Sequence, residues 1–219
     1  MITTVIFDMD GTLYNTEIIY FACYRKAAAE MGLDFTFDLF AQGVGISREE
    51  ANKFIKQHFG QDTDTDHLQR RTYQLVDDYL QRGGEIPFMP GAVDAVKLFY
   101  KRGLKLGLAS SNIRKWVEFY LDKTDLAKYF SALTTCEDVE HLKPNPEVYL
   151  RSAAKLGADP SQCLVFEDSV AGATAAINAQ MRTCMIPNIK KPDTFIRQHA
   201  FKIYDFFFQV PADVDELLA

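Results

Sequence analysis

The chain has 219 residues, of which 47% are hydrophobic and 25% charged, with a formal net charge of −6 at pH 7. Those proportions exclude wholesale disorder, the length buries a core without help from disulfides, and the acidic balance excludes a general nucleic-acid binder. No apolar run approaches the ~18 residues of a membrane span, and the opening stretch lacks the basic segment of a secretory signal, so the expectation is a soluble cytoplasmic protein.

In chain order, residues 3–7 are apolar and β-branched up to Asp8, which predicts a strand buried on both faces. From about 17 to 83 every predicted element is helical. The first spans 17–31 and is closed by Gly32; a short one follows Thr36. Ser47 and Glu50 have capping-box spacing and open a third that runs to Gly60. A fourth covers 66–82 and stops at Gly83-Gly84. From Pro90 onward helices and strands alternate: helix 92–102, strand 104–109, helix 114–123, strand 132–135, helix 146–156, strand 163–166, helix 170–179 and strand 183–186. Residues 201–208 read as a further strand and 211–219 as a weak helix.

Alternating β and α units predict an α/β fold, a Rossmann-like parallel sheet covered on both faces. The first strand belongs to that sheet, so the helical block is an insertion. The expected organisation is a core of 1–14 and 85–219 with a helical-bundle cap of 15–84, hinged at 14–17 and 83–88. Cys23, Cys136, Cys163 and Cys184 match no paired metal or redox spacing and read as buried free thiols in a reducing compartment. His58, His67, His141 and His199 show no metal-ligand spacing.

Carboxylates mark two strand ends. Asp8 and Asp10 follow the first strand in FDMDGTLY, where open α/β sheets place ligands. Gly11 allows a sharp turn with N–H groups for an anion, and Thr12 adds a hydroxyl. Glu167 and Asp168 follow the strand CLVF. Hard oxygens converging from two strand ends suit Mg²⁺, and a cation between them removes the repulsion a phosphate would meet. Ser110 ends LGLA, and Ser111 and Asn112 open the next helix, so this turn offers donors to a phosphate at a helix N-terminus. Lys143, held extended before Pro144, supplies a cation.

In order and placement these segments resemble the four motifs of the haloacid dehalogenase superfamily, in its branch with a helical cap, and most nearly its β-phosphoglucomutase-like phosphatases. The matching segments are FDMDGTL (7–13), LASS (108–111), Lys143 in KPNPEVY, and FEDSVAGATAA (166–176). The resemblance implies a Mg²⁺-dependent phosphatase of small phosphorylated metabolites, of sugar phosphate or nucleotide type, acting through an aspartyl-phosphate. Asp8 would be the nucleophile and Asp10 the acid and base. Ser110, Lys143 and their neighbours Gly11, Thr12 and Ser111 would hold phosphate. Asp8, Asp10, Asp168 and Glu167, as ligand or supporting partner, would hold the metal.

A phosphomutase is the alternative, and a non-catalytic ligand-binding protein on the same fold is a third reading that intact Asp8 and Asp10 oppose. GISREE (45–50) resembles the mutase loop whose arginine grips the remote phosphate, here Arg48. Other expected basic positions are replaced by Tyr20, Ile113 and Asp78. Tyr20, Arg48 and Asn112 are the candidate substrate contacts, and the expected state is a monomer with no nucleic-acid or membrane partner.

Overall fold

The computed structural model describes residues 1–46 and 48–219, so the capping box expected at Ser47 lies outside the described residues. The chain forms two compact units, Met1–Tyr14 with Phe88–Ala219, and Asn15–Pro87.

The first unit begins with β1 (Thr4–Phe7), every residue of which is buried. After the helical unit come α5 (Ala92–Lys101), β2 (Lys105–Ala109), α6 (Arg114–Lys123), β3 (Ala132–Thr134), α7 (Glu147–Leu156), β4 (Cys163–Glu167), α8 (Val170–Asn178) and β5 (Arg182–Met185). The chain closes with α9 (Thr194–His199), β6 (Lys202–Ile203) and α10 (Val214–Leu218). The described strands form one sheet in the order β3-β2-β1-β4-β5-β6, and every pairing is parallel.

Both faces of that sheet are covered, which is why its strands read as continuous apolar runs rather than alternating ones. Ile6, Cys163 and Val165 face a cluster with Tyr149, Ala153 and Leu156 of α7 and Ala175 and Ala176 of α8. On the other face Phe7 stacks on Phe166 with ring centres 5.3 Å apart and also meets Phe99, Phe130 and Phe207. β1 is central, and its parallel neighbours β2 and β4 lie on opposite sides of it, so the connections after them lead away to opposite edges of the sheet. The crevice at the carboxyl end of β1 is the switch point where such sheets bind ligands.

The second unit contains α1 (Thr16–Glu30), α2 (Phe37–Gly43), α3 (Arg48–Phe59) and α4 (Thr65–Gln81). Thr36 caps α2 by accepting from the Leu39 N–H, and Asp64 caps α4 by accepting from the His67 N–H. Its interior is aromatic: Tyr24 stacks on Phe35 at 5.4 Å, and Phe35 on Phe59 at 6.2 Å. Arg71 of α4 grips Glu30 of α1 through two hydrogen bonds, of 2.5 and 2.9 Å.

Three expectations change. The run 201–208 is not one strand. β6 covers Lys202 and Ile203 alone, and the chain then turns into a 3-10 helix, Phe207–Asp213. Its aromatic residues look like strand formers in sequence, but Phe207 is used for packing against Phe7 and Phe166. Helix α9 is additional, and its signal is Asp193, whose side chain accepts from the Ile196 N–H. Cys136 is half-buried, whereas Cys23, Cys163 and Cys184 are buried as expected.

The aromatic face yields a test. Phe7 is fully buried and immediately precedes Asp8, so Phe7→Ala opens a cavity beneath the site. Urea unfolding should show a loss of about 3–5 kcal/mol, in the range of other Phe→Ala core truncations.

Candidate active site

Strand register assembles the site. Phe7 is aligned with Leu108 on one side and Phe166 on the other. The next residues, Asp8, Ala109 and Glu167, therefore form one row across the carboxyl ends of β1, β2 and β4. The loop 139–146 before α7 brings Lys143 over that row. Its ammonium donates to Asp8 Oδ1 at 2.5 Å, to Glu167 Oε1 at 2.7 Å and to the Ala109 carbonyl at 3.2 Å. Three donors meet three acceptors, so a lysine side chain only 7% exposed is fully satisfied.

Glu167 is the hub behind this contact. Oε1 also accepts from the Tyr149 hydroxyl at 2.8 Å. Oε2 accepts from the N–H groups of Asp168 and Ser169 and from the Ser169 hydroxyl, each at 3.0 Å. Asp168 lies one residue beyond the row and accepts from the Thr12 hydroxyl at 3.1 Å. On the β2 side the Ser110 hydroxyl lies 3.4 Å from Asp10 Oδ2 and accepts from the Asn112 N–H at 3.0 Å. The Asn112 side chain turns back to accept from the Ile113 N–H.

Burial sets the electrostatics. It pushes the Asp8 carboxyl up to about 8, against the pull of Lys143. Burial also opposes ionisation of Glu167, but Lys143 and the surrounding donors outweigh it and hold that carboxyl below its ordinary value. Lys143 is likewise penalised by burial, yet Asp8 and Glu167 drive its pKa well above the ordinary value. One oxygen from each of Asp8, Glu167 and Asp168 falls within 4.8 Å of the others. Three carboxyl groups thus face one ammonium, and a divalent cation among them would oppose the effect of burial and hold all three, Asp8 included, in the ionised form. The donor set is all oxygen, as Mg²⁺ requires, so the residues fit that ion.

The structure brings together Asp8, Asp10, Thr12, Ser110, Asn112, Lys143, Glu167 and Asp168. Of the expected phosphate donors, the Gly11 N–H donates inside the turn to the Tyr14 carbonyl at 2.8 Å, and the Thr12 hydroxyl donates to Asp168. Gly11 also has a left-handed φ of +81°, and a Cβ there would strike the Asp168 carboxylate. Ser111 is exposed at the start of the turn. The two cap candidates belong to the helical unit. Arg48, with a side chain 62% exposed, pairs with Asp66 at 2.9 Å. Tyr20 meets Tyr73 edge-on and lines a cavity of about 220 Å³ with Glu17, Tyr24 and Phe40.

Two participants lie within the motif segments, but the sequence does not single them out as site residues. Tyr149 looks like an ordinary apolar-face residue of α7, and its partner is 18 residues away. Gly172 looks like one of several small helix residues, but a Cβ there would drive into the Glu167 carboxylate.

The sequence profile of the haloacid dehalogenase-like hydrolases matches residues 5–186. The chain belongs to that family. Among curated relatives, hexitol phosphatase B from Escherichia coli is 33% identical over 194 residues, covering 85% of this chain and 84% of that protein. A phosphorylated carbohydrates phosphatase from Thermotoga maritima is 31% identical over 179 residues, covering 80% of each. Among solved structures, a candidate β-phosphoglucomutase from Thermotoga maritima superposes with a TM-score of 0.80 at 26% identity, across 99% of this chain and 100% of that one. The protein is a phosphoric monoester hydrolase of the haloacid dehalogenase-like family.

The glycine contact gives a discriminating variant. Glycine to alanine inside a helix ordinarily stabilises by up to about 1 kcal/mol. Gly172→Ala should instead destabilise the protein, read by thermal unfolding, because the new methyl evicts the Glu167 carboxylate from its donors. A stabilised variant with full turnover would show that the carboxylate is not held there.

Proposed function

We propose that this chain is a Mg²⁺-dependent phosphatase of small phosphorylated carbohydrates that works through a phosphoryl group carried on Asp8. The observation that carries the proposal is the row of Asp8, Lys143 and Glu167, with Asp168 and Asp10 flanking it. The names of the relatives support the substrate class.

In this reading an Asp8 oxygen attacks phosphorus and the bond to the sugar oxygen breaks. Asp10 gives its proton to that leaving oxygen. Asp10 then takes a proton from water, whose oxygen attacks the same phosphorus, releasing orthophosphate and restoring the Asp8 carboxylate. Lys143 already touches Asp8, so it would neutralise phosphoryl oxygens as charge accumulates. Ser110, the residue after β2, would contribute its hydroxyl to the same oxygens. The carboxylates of Asp8 and Asp168 and the backbone carbonyl of Asp10 would hold Mg²⁺, which offsets the repulsion between a carboxylate nucleophile and a phosphate dianion. Glu167, whose oxygens are already taken by its donors, would fix Lys143 rather than ligate.

Water is the expected acceptor. A mutase must grip a second, remote phosphate, and the positions where its basic groups are expected hold Tyr20, Ile113 and Asp78. Arg48 is engaged with Asp66.

Purified protein should release orthophosphate from hexitol and sugar monophosphates in Mg²⁺, lose that activity in excess EDTA and regain it on adding Mg²⁺. Undiminished turnover in EDTA would overturn the metal assignment. Asp8→Asn should remain folded while turnover falls by at least about 10³-fold, since the amide is nearly isosteric and not nucleophilic. Beryllofluoride should add to Asp8; its appearance on Asp10 would reverse the two roles. Given β-glucose 1-phosphate and a trace of its bisphosphate, the protein should liberate phosphate. Efficient formation of glucose 6-phosphate without free phosphate would make it a mutase.

A further inference from the structure

We propose that Tyr149 is a positioning residue that sets how Lys143 divides its charge between Glu167 and Asp8. The inference rests on the reading of Asp8 and Lys143 as the phosphoryl site.

Tyr149 is fully buried in the first turns of α7, within an apolar cluster where phenylalanine would pack equally well. A phenol there carries a desolvation cost unless its hydroxyl finds a partner. It donates to Glu167 Oε1 at 2.8 Å, the same oxygen that accepts from Lys143 at 2.7 Å. The Lys143 ammonium also lies 5.0 Å above the centre of the Tyr149 ring. One side chain therefore meets both members of the Lys143–Glu167 pair.

The hydroxyl has a consequence that packing does not. With Oε2 taken by Asp168 and Ser169, Oε1 is the oxygen through which Glu167 attracts the lysine. A donor on Oε1 disperses its charge and fills one of its acceptor directions. Lys143 is then left with a single line of approach to Glu167. Its remaining donors are aimed at Asp8 and the Ala109 carbonyl. Removing the hydroxyl frees an acceptor direction, so the ammonium settles more fully on Glu167 and withdraws from the oxygens around Asp8. The ring fixes the height of the ammonium, and the hydroxyl fixes its lateral position.

The test uses Tyr149→Phe, which keeps the ring and deletes the hydroxyl, with Mg²⁺-loaded protein and orthovanadate as the probe. Calorimetric titration should show vanadate affinity falling about tenfold, the scale expected for loss of a supporting hydrogen bond behind a site residue. Turnover should fall by a similar factor while KM moves less than about threefold. A purely structural role would lower the fraction of competent protein, read as stoichiometry, and leave the affinity of the rest unmoved. In a Lys143→Ala background the same substitution should leave vanadate affinity unchanged, because the hydroxyl acts through the lysine. Unaltered vanadate affinity in Tyr149→Phe, with Lys143→Ala strongly weakened, would overturn the positioning role alone. Unaltered affinity in Lys143→Ala would overturn the phosphoryl-site reading and this inference with it. If Tyr149→Phe does not fold, Tyr149→Leu, a smaller apolar side chain with neither ring nor hydroxyl, should weaken vanadate further. Full affinity in Tyr149→Leu would equally overturn the proposal.

Discussion

Burying an ammonium is costly unless acceptors surround it, and here the protein places Lys143 where the ends of three parallel strands supply them together. Asp8, Glu167 and the Ala109 carbonyl reach the same nitrogen because β1, β2 and β4 are in register and end on one line. Loss of one carboxylate partner would leave the buried ammonium with a single counter-charge, a larger penalty than loss of a surface pair. The arrangement also explains why the surrounding groups are so heavily hydrogen-bonded. Excess carboxylate charge is tolerable only where fixed donors hold each oxygen, and Glu167 has such donors on both of its oxygens.

Small residues make this density possible. Helix α8 begins close enough to the end of β4 that its Ser169 caps the helix and binds Glu167 as well. Gly172 leaves room for the glutamate, and Gly11 leaves room for Asp168. Ala173, Ala175 and Ala176 are fully buried, so the helix approaches the sheet without large side chains between them. The apolar, small-residue composition of FEDSVAGATAA is thus a steric requirement of the acidic pair that precedes it.

The helical unit follows a different logic. Its interior is a set of aromatic contacts among α1, α2 and the segments beside them, tied by the bidentate Arg71–Glu30 pair. Its charged residues pair with one another, as Arg48 does with Asp66. The chain leaves the sheet unit after Tyr14 and returns at Phe88, where the two rings stack at 5.3 Å and the backbones form a bridge. Tyr14 further anchors its hydroxyl on Thr124 at 2.7 Å, so the end of the first motif loop is held from within the sheet unit.

By itself the sequence determined most of the architecture. Apolar runs of strand length alternating with helical patterns specify a parallel sheet, because only burial on both faces permits such runs, and the helical block between the first and second strands reads as an insertion. The strand-end placement of Asp8 and Asp168 was legible as well, since residues directly after buried strands must lie at the carboxyl edge, whereas Lys143, nine residues beyond β3, was singled out only by its place before Pro144 and by its motif. What remained illegible depends on distances across the chain. The strand expected over 201–208 failed because Phe207 turns inward to meet Phe7 and Phe166, a demand of packing that local β propensity does not register. The sequence shows that Gly11 and Thr12 can donate, whereas their partners within the fold, the Tyr14 carbonyl and the Asp168 carboxylate, come from the tertiary structure. Tyr149 and Gly172 fell within the motif segments, but neither was singled out, because their contact with Glu167 exists only once α7, α8 and β4 have packed together. Local pattern specifies elements and the ends at which chemistry can occur; tertiary packing decides which hydrogen-bonding capacity is left over to perform it.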